Sequence, residues 1–246
     1  MEIALPGSHR ARHYITKVLP CIGLCAVLLG IFMFGAGVGV LVHEGYHAAV
    51  ISVPFQSASS LLIPAGICSV AAGCLEILVT RFTDSAPSLV HKRSLAFIVI
   101  LSVASVLTLI AAILAFVYFG NVGNKAEDDL RSQLQEYGLK SEIKILDRIQ
   151  SKDECCGVNY YADWRDTPYG GKRTYKVPDS CCKNYEYACG DHFEISSINR
   201  RGCLEVVKSS IRSHLLFIGI SGILIALPIE VFLVAAVCYI RKKHLQ

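Results

Sequence analysis

Charge is missing from long stretches of this 246-residue chain. Residues 18–42, 57–75, 94–124 and 213–229 contain no Lys, Arg, Asp or Glu, and the last run resumes beyond Glu230 as far as residue 240. Soluble domains keep charged residues spread over their surface. Gaps of this length, with 53% hydrophobic residues and a mean hydropathy of +0.46, exclude an ordinary one. A helix that crosses hydrocarbon needs roughly 20 apolar residues. All four runs meet that requirement, the second and fourth with one ionisable residue allowed in each. Backbone polar groups find no water in lipid, so the runs are expected to be helical. Internal repeats and low-complexity tracts are also missing, which leaves no basis for a solenoid or a disordered linker protein.

The first run follows His9, Arg10, Arg12 and Lys17, as a signal peptide would. Its apolar stretch is longer than the roughly 7–15 residues of a cleaved leader, and no A-x-A site follows, so it is expected to stay as a span. Charge then sets the orientation. Residues 121–214 hold 15 of the 24 Lys and Arg and 15 of the 20 Asp and Glu, so that segment is neutral. The other nine basic residues are Arg10, Arg12, Lys17, Arg81, Lys92, Arg93, Arg241, Lys242 and Lys243. With four spans all nine fall on one side, which the positive-inside rule makes cytoplasmic. The net charge of +4 is thus a topology signal, with some contact to anionic lipid, and no nucleic-acid partner is expected.

The expected organisation is a cytoplasmic tail (1–17), a first span (18–42), a small extracellular loop (43–58) and a second span (59–79). A cytoplasmic loop (80–93), a third span (94–119), a large extracellular loop (120–213), a fourth span (214–240) and a cytoplasmic tail (241–246) follow. Within the large loop, residues 124–154 carry Leu130, Leu134, Ile143, Leu146 and Ile149 at near-helical spacing, broken at Gly138. Residues 158–199 are rich in Tyr, Gly and Pro and read as irregular. Residues 203–214 return to helical spacing and lead into the last span. Neither outer loop has an N-x-[ST] sequon, so N-glycosylation is not expected.

Eleven cysteines divide by compartment. Cys155, Cys156, Cys181, Cys182, Cys189 and Cys203 lie in the large loop, and an even number in an oxidising compartment implies disulfides. Six cysteines allow 15 connectivities. Adjacent cysteines rarely bond each other, and zinc is disfavoured by the lack of a C-x₂-C pair. Cys21, Cys25, Cys74 and Cys238 lie in or near the inner ends of spans, where S-palmitoylation is expected, Cys21 and Cys238 foremost. Cys68 reads as a small buried residue.

Cys155-Cys156-Gly157, then Pro178-Asp179-Ser180-Cys181-Cys182, then Arg201-Gly202-Cys203 before a last span resembles the large loop of a tetraspanin. The resemblance covers the whole four-span layout. It implies the pairing Cys155–Cys203, Cys156–Cys181 and Cys182–Cys189. The fold class expected is therefore all-α integral membrane: a four-transmembrane-helix bundle with a disulfide-stapled, mainly helical large extracellular loop. Tetraspanins commonly carry an Asn in span one and a Glu or Gln in span three. Here span one has no Asn, and span three offers only Ser102, Ser105 and Thr108.

Glu230 lies in span four, and an ionisable group in lipid is a functional hypothesis. The resemblance suggests a cavity where a sterol can sit; the plain alternative is a buried hydrogen-bond donor. Glu76, a turn from the inner surface, could snorkel. Gly35 and Gly39 form a G-x-x-x-G pair that allows close helix packing.

His43-Glu44-Gly45-Tyr46-His47 fits H-E-x-x-H, two zinc-binding imidazoles and a general base when on a helix. Gly45 is expected to end the helix near His43, followed by an extended segment stopped by Pro54. The two imidazoles would then not share a face, and a third ligand would have to come from His192, His214 or an acidic residue elsewhere. Interfacial polar residues flanking a span are the favoured reading, with a membrane zinc protease the remote alternative. No catalytic residue, metal or resident cofactor is expected.

The function implied is a non-enzymatic membrane organiser that associates laterally with other membrane proteins, with membrane lipids and with itself. The large loop would choose partners through Tyr160, Tyr161, Trp164, Tyr169, Tyr175, Tyr185 and Tyr187, since aromatic residues are enriched at interfaces; packing within the loop is the plain alternative. A four-span channel or junction protein is the runner-up. It is disfavoured because the small loop has no cysteine and only Glu76 and Glu230 are charged within spans. Tyr239 has no bulky apolar residue three positions on, so the plasma membrane is favoured over endosomal membranes.

Overall fold

A computed structural model describes residues 8–48, 51–52, 54–82, 87–139, 144–171, 175–184, 187–191 and 194–244. Five α-helices account for most of them: α1 (Ser8–Ala48), α2 (Gln56–Phe82), α3 (Pro87–Glu136), α4 (Lys144–Lys152) and α5 (Cys203–His244). Two 3₁₀ turns lie between α4 and α5, at Tyr161–Asp166 and Asp179–Cys181. The described residues form no strand; Cys182 and Ile198 make an isolated antiparallel bridge. Among the described residues, four helical stretches are long and apolar enough to cross a membrane: Pro20–His47, Gln56–Leu78, Ala96–Glu136 and Cys203–Ala235. At 1.5 Å per residue, the 50 residues of α3 run about 75 Å, more than twice the roughly 30 Å of hydrocarbon. The helical spacing around Leu130 and Leu134 thus continues the third span in one helix, whereas Leu146 and Ile149 belong to the separate α4.

The chain divides into two compact units. One takes α1 up to Gly39, Ala58–Ile113 and α5 from Gly219; the other takes Val40–Ser57 and Leu114–Ile218.

In the first unit α1 and α2 meet through small residues seven apart. Gly23 faces Gly73, Gly30 faces Gly66, and Gly37 faces Ser59. A Cβ on Gly30 would lie 2.7 Å from the Gly66 carbonyl oxygen, and one on Gly66 would lie 2.6 Å from that of Gly30. Lipid tails are as apolar as Leu, so helices gain from close packing rather than from hydrophobic burial, and glycine permits that approach. The G-x-x-x-G pair has a different fate from that expected. A Cβ on Gly35 or Gly39 would meet nothing within 4 Å, so neither packs; the register is set by the heptad that includes Gly37. Glu76 does not reach outward either, being 3% exposed. Hydroxyls take the place of an Asn–Glu network. Ser69 Oγ donates to the Ala26 carbonyl at 2.9 Å, and Thr108 Oγ1 donates to Ala104 at 2.8 Å and lies 3.4 Å from Met33 Sδ. Ser105 Oγ reaches Ala226 at 3.4 Å.

The second unit is built differently. Disulfides join Cys155 to Cys203, Cys156 to Cys181 and Cys182 to Cys189, the pairing that the resemblance implies. Leu130, Leu146, Ile149, Trp164, Ile198 and Ile211 are fully buried in the same unit. Gly157 sits at φ +70°, beneath the Tyr160 carbonyl, where a side chain would clash. That is the turn a glycine after the paired cysteines permits.

Candidate functional site

The irregular part of the large loop is held by carboxylates bonded to backbone. Asp163 Oδ2 accepts from the N–H groups of Val158, Asn159 and Tyr160, at 3.0, 2.6 and 3.2 Å. Asp179 accepts from Ala188 at 3.0 Å and Gly190 at 2.9 Å. Ala188 adopts φ +63°, so Asp179 holds a left-handed residue in the short disulfide loop. Tyr137 Oη donates to Asp147 at 2.8 Å, and its phenol is pushed well above the usual range by burial and by that carboxylate.

On this frame the aromatic candidates part company. Tyr187 is 96% exposed and Tyr160 52% exposed. Tyr161, Tyr169 and Tyr175 are half-buried. Tyr175 Oη donates to the Tyr161 carbonyl at 3.0 Å, with Arg165 stacked 4.5 Å above the ring, and burial pushes its phenol up to about 12. Tyr185 lies outside the described residues. Trp164 is a correction: it is fully buried, edge-on to Tyr137 at 4.9 Å and to Tyr169 at 5.8 Å. Its large apolar ring packs the loop core, so it offers no surface to a partner.

A second constellation lies at H-E-x-x-H. The helix does not stop at His43; α1 runs to Ala48, with Gly45 in open space. One glycine in a helix costs only about 1 kcal/mol, and the residues on either side are tied to the rest of this unit. Glu44 is fully buried. Its Oε2 is 2.6 Å from His47 Nδ1. Its Oε1 accepts from Ser210 Oγ at 2.8 Å and lies 3.0 Å from His43 Nδ1 and 3.1 Å from His214 Nε2. His47 Nε2 is 2.8 Å from Asp153 Oδ2, and Tyr46 Oη donates to Asp153 Oδ1 at 2.8 Å. Both His47 nitrogens face carboxylates, so neither offers a free lone pair. His43 and His47 are therefore not a zinc pair of the protease kind, and Glu44 is engaged as an acceptor rather than poised as a base. The carboxylate instead gathers His43, His47, Ser210 and His214. The motif pointed to this place, but its partners come from α5 and from the turn after α4. His214, one of the candidate third ligands, is among them. His192 lies outside the described residues.

Glu230 is half-buried, and its Oε1 has no hydrogen-bond partner among the described residues. Cys21, Cys25, Cys74 and Cys238 are exposed on helix surfaces, whereas Cys68 is partly covered.

Four apolar helices and a triply bridged loop between the third and fourth spans define a multi-pass membrane protein with a stapled extramembrane module. The tetraspanin family model matches residues 15–243, and the chain belongs to that family. It is similar to CD63 antigen of Mus musculus, with 26% identity over 244 residues, covering 98% of this chain and 97% of that protein. CD63 antigen of Homo sapiens is also 26% identical, over 98% of this chain and 97% of its own length. CD151 antigen of Rattus norvegicus is 28% identical, over 90% of this chain and 89% of its own.

Proposed function

We propose that this protein is a non-enzymatic membrane organiser that gathers partner membrane proteins into lateral microdomains, with the large loop choosing the partners. One observation carries the reading: exposed tyrosines, Tyr187 and Tyr160 above all, stand on a frame fixed by three disulfides and by Asp163 and Asp179. Aromatic side chains supply large contact area at interfaces, and a frame that is already rigid lowers the ordering cost of binding. The spans and acyl chains on Cys21, Cys25, Cys74 and Cys238 supply lateral association, including with other copies of the chain. A sterol beside Glu230 would give its unpartnered oxygen a hydroxyl. Both termini face the cytoplasm, and the plasma membrane is the main location, with endosomal membranes second. Proximity labelling tests the central claim by comparing the natural chain with a chimera exchanging residues 158–202. The partner set should change with the loop; an unchanged set would show that the selector lies elsewhere.

A further inference from the structure

We propose that His43, Glu44 and His214 form a binding site for a divalent transition-metal ion of the zinc class, clipping the end of α1 to α5. One ligand atom from each of the three residues lies within 4.8 Å of the others. Glu44 Oε1 is the hub, 3.0 Å from His43 Nδ1 and 3.1 Å from His214 Nε2. Zinc bonds nitrogen and oxygen at about 2.0–2.2 Å, which sets ligands at tetrahedral angles about 3.3 Å apart. Both hub distances are within a few tenths of an ångström of that. The remaining separation closes by a turn of His43, whose side chain is 58% exposed.

The surroundings are those of a held ligand rather than of a chance cluster. Glu44 is fixed through its second oxygen by His47, which is fixed in turn by Asp153. Chains of this kind orient ligand carboxylates and imidazoles at metal sites. Ser210 adds a further hydrogen bond to Glu44. The exposed flank at His43 gives an ion its route in and leaves a fourth position for water. Two imidazoles with one carboxylate suit zinc, copper or nickel, not calcium or magnesium, which prefer all-oxygen sets. Glu44 serves as a ligand, so this set has no general base of the H-E-x-x-H hydrolase kind. The role is to staple two helices of one unit, and the inference stands or falls apart from partner selection by the loop.

The test uses the full-length chain in detergent micelles or lipid nanodiscs, stripped with chelator and then titrated with Zn²⁺ or Co²⁺ alone. One zinc per chain should be retained after desalting, and Co²⁺ should give the visible absorption of a four-coordinate nitrogen–oxygen site. His43→Ala and His214→Ala should each weaken zinc binding at least tenfold. His47→Ala should weaken it by about 10–100-fold through loss of orientation. His91→Ala, outside the cluster, should leave binding unchanged. His43→Ala alters an exposed side chain, so circular dichroism should show an intact fold and keep the result interpretable. Two outcomes overturn the assignment: no stoichiometric zinc with only the octahedral hexaaqua Co²⁺ spectrum, or zinc that survives both His43→Ala and His214→Ala.

Discussion

The two units of this molecule are held together by opposite means. The span-bearing unit has little to gain from burying apolar side chains, because lipid is as apolar as they are; it relies on Gly23, Gly30, Gly37, Gly66 and Gly73 to bring backbones close. Its polar groups are few, and hydroxyls such as Ser69 and Thr108 bond to nearby carbonyls. The other unit carries the large extramembrane loop, where hydrophobic burial works. It has a buried Trp, three disulfides and a set of carboxylates that hold backbone and imidazole groups. A substitution should therefore be harmful for different reasons in the two places: lost volume in the loop, added volume in the bundle.

Trp164→Ala should have the largest effect. It empties the loop core and should destabilise that unit by about 3–5 kcal/mol, as buried Trp deletions do. A lowered melting transition for the loop, with transmembrane helix content unchanged by circular dichroism, would bear out the separation of the two units. Replacing Cys155 and Cys203 together by Ser should come next, at about 2–5 kcal/mol, since that bridge spans a sequence separation of 48 residues. Limited proteolysis should then cut within residues 158–202. Resistance equal to that of the natural chain would show that the other two bridges and the core suffice.

The four spans were legible because hydropathy is a local property, and residues 18–42 or 94–124 need no partner to declare themselves. The cysteine pairs were legible as a framework, but arithmetic left 15 connectivities and only the tetraspanin resemblance selected one. Three features escaped for one shared physical reason: each depends on packing partners that a local sequence pattern does not reveal. The helix continues past Gly45 because Glu44 and His47 bond to Ser210 and Asp153, at separations of 166 and 106 residues. Trp164 turns inward because Tyr137 and Tyr169 flank it, and aromatic character alone does not say which way a ring faces. The helix-packing glycines recur every seven residues and match small residues in α2, whereas the conspicuous G-x-x-x-G pair at Gly35 and Gly39 meets nothing.

That last contrast supplies a prediction of middling size. Gly30→Leu places a side chain against the Gly66 carbonyl and Val70, and overpacking of this kind costs about 1–3 kcal/mol. Gly35→Leu adds the same volume where nothing lies within 4 Å and should change stability by less than about 0.5 kcal/mol. Unfolding of the detergent-solubilised protein with rising SDS would compare them directly. Equal loss from both would mean that the close approach at Gly30 does not set it apart from Gly35, since helix propensity alone favours Leu over Gly at either position.

The smallest effect on stability is expected where the effect on function is greatest. Tyr187 is 96% exposed, so Tyr187→Ala should stay within about 0.5 kcal/mol of the natural chain. The same exposure leaves the ring free to bury against a partner, and truncating an aromatic anchor typically lowers affinity by 2 kcal/mol or more, about thirtyfold. Co-purification in mild detergent should thus lose partners while melting and proteolysis remain unchanged. Trp164→Ala would lose partners as well, but only together with the loop fold. If Tyr187→Ala and Tyr160→Ala both retain the full partner set, the exposed tyrosines are not the recognition surface. Selection would then have to come from the membrane-facing surfaces of the first unit, where Leu224, Val231 and Phe232 are exposed.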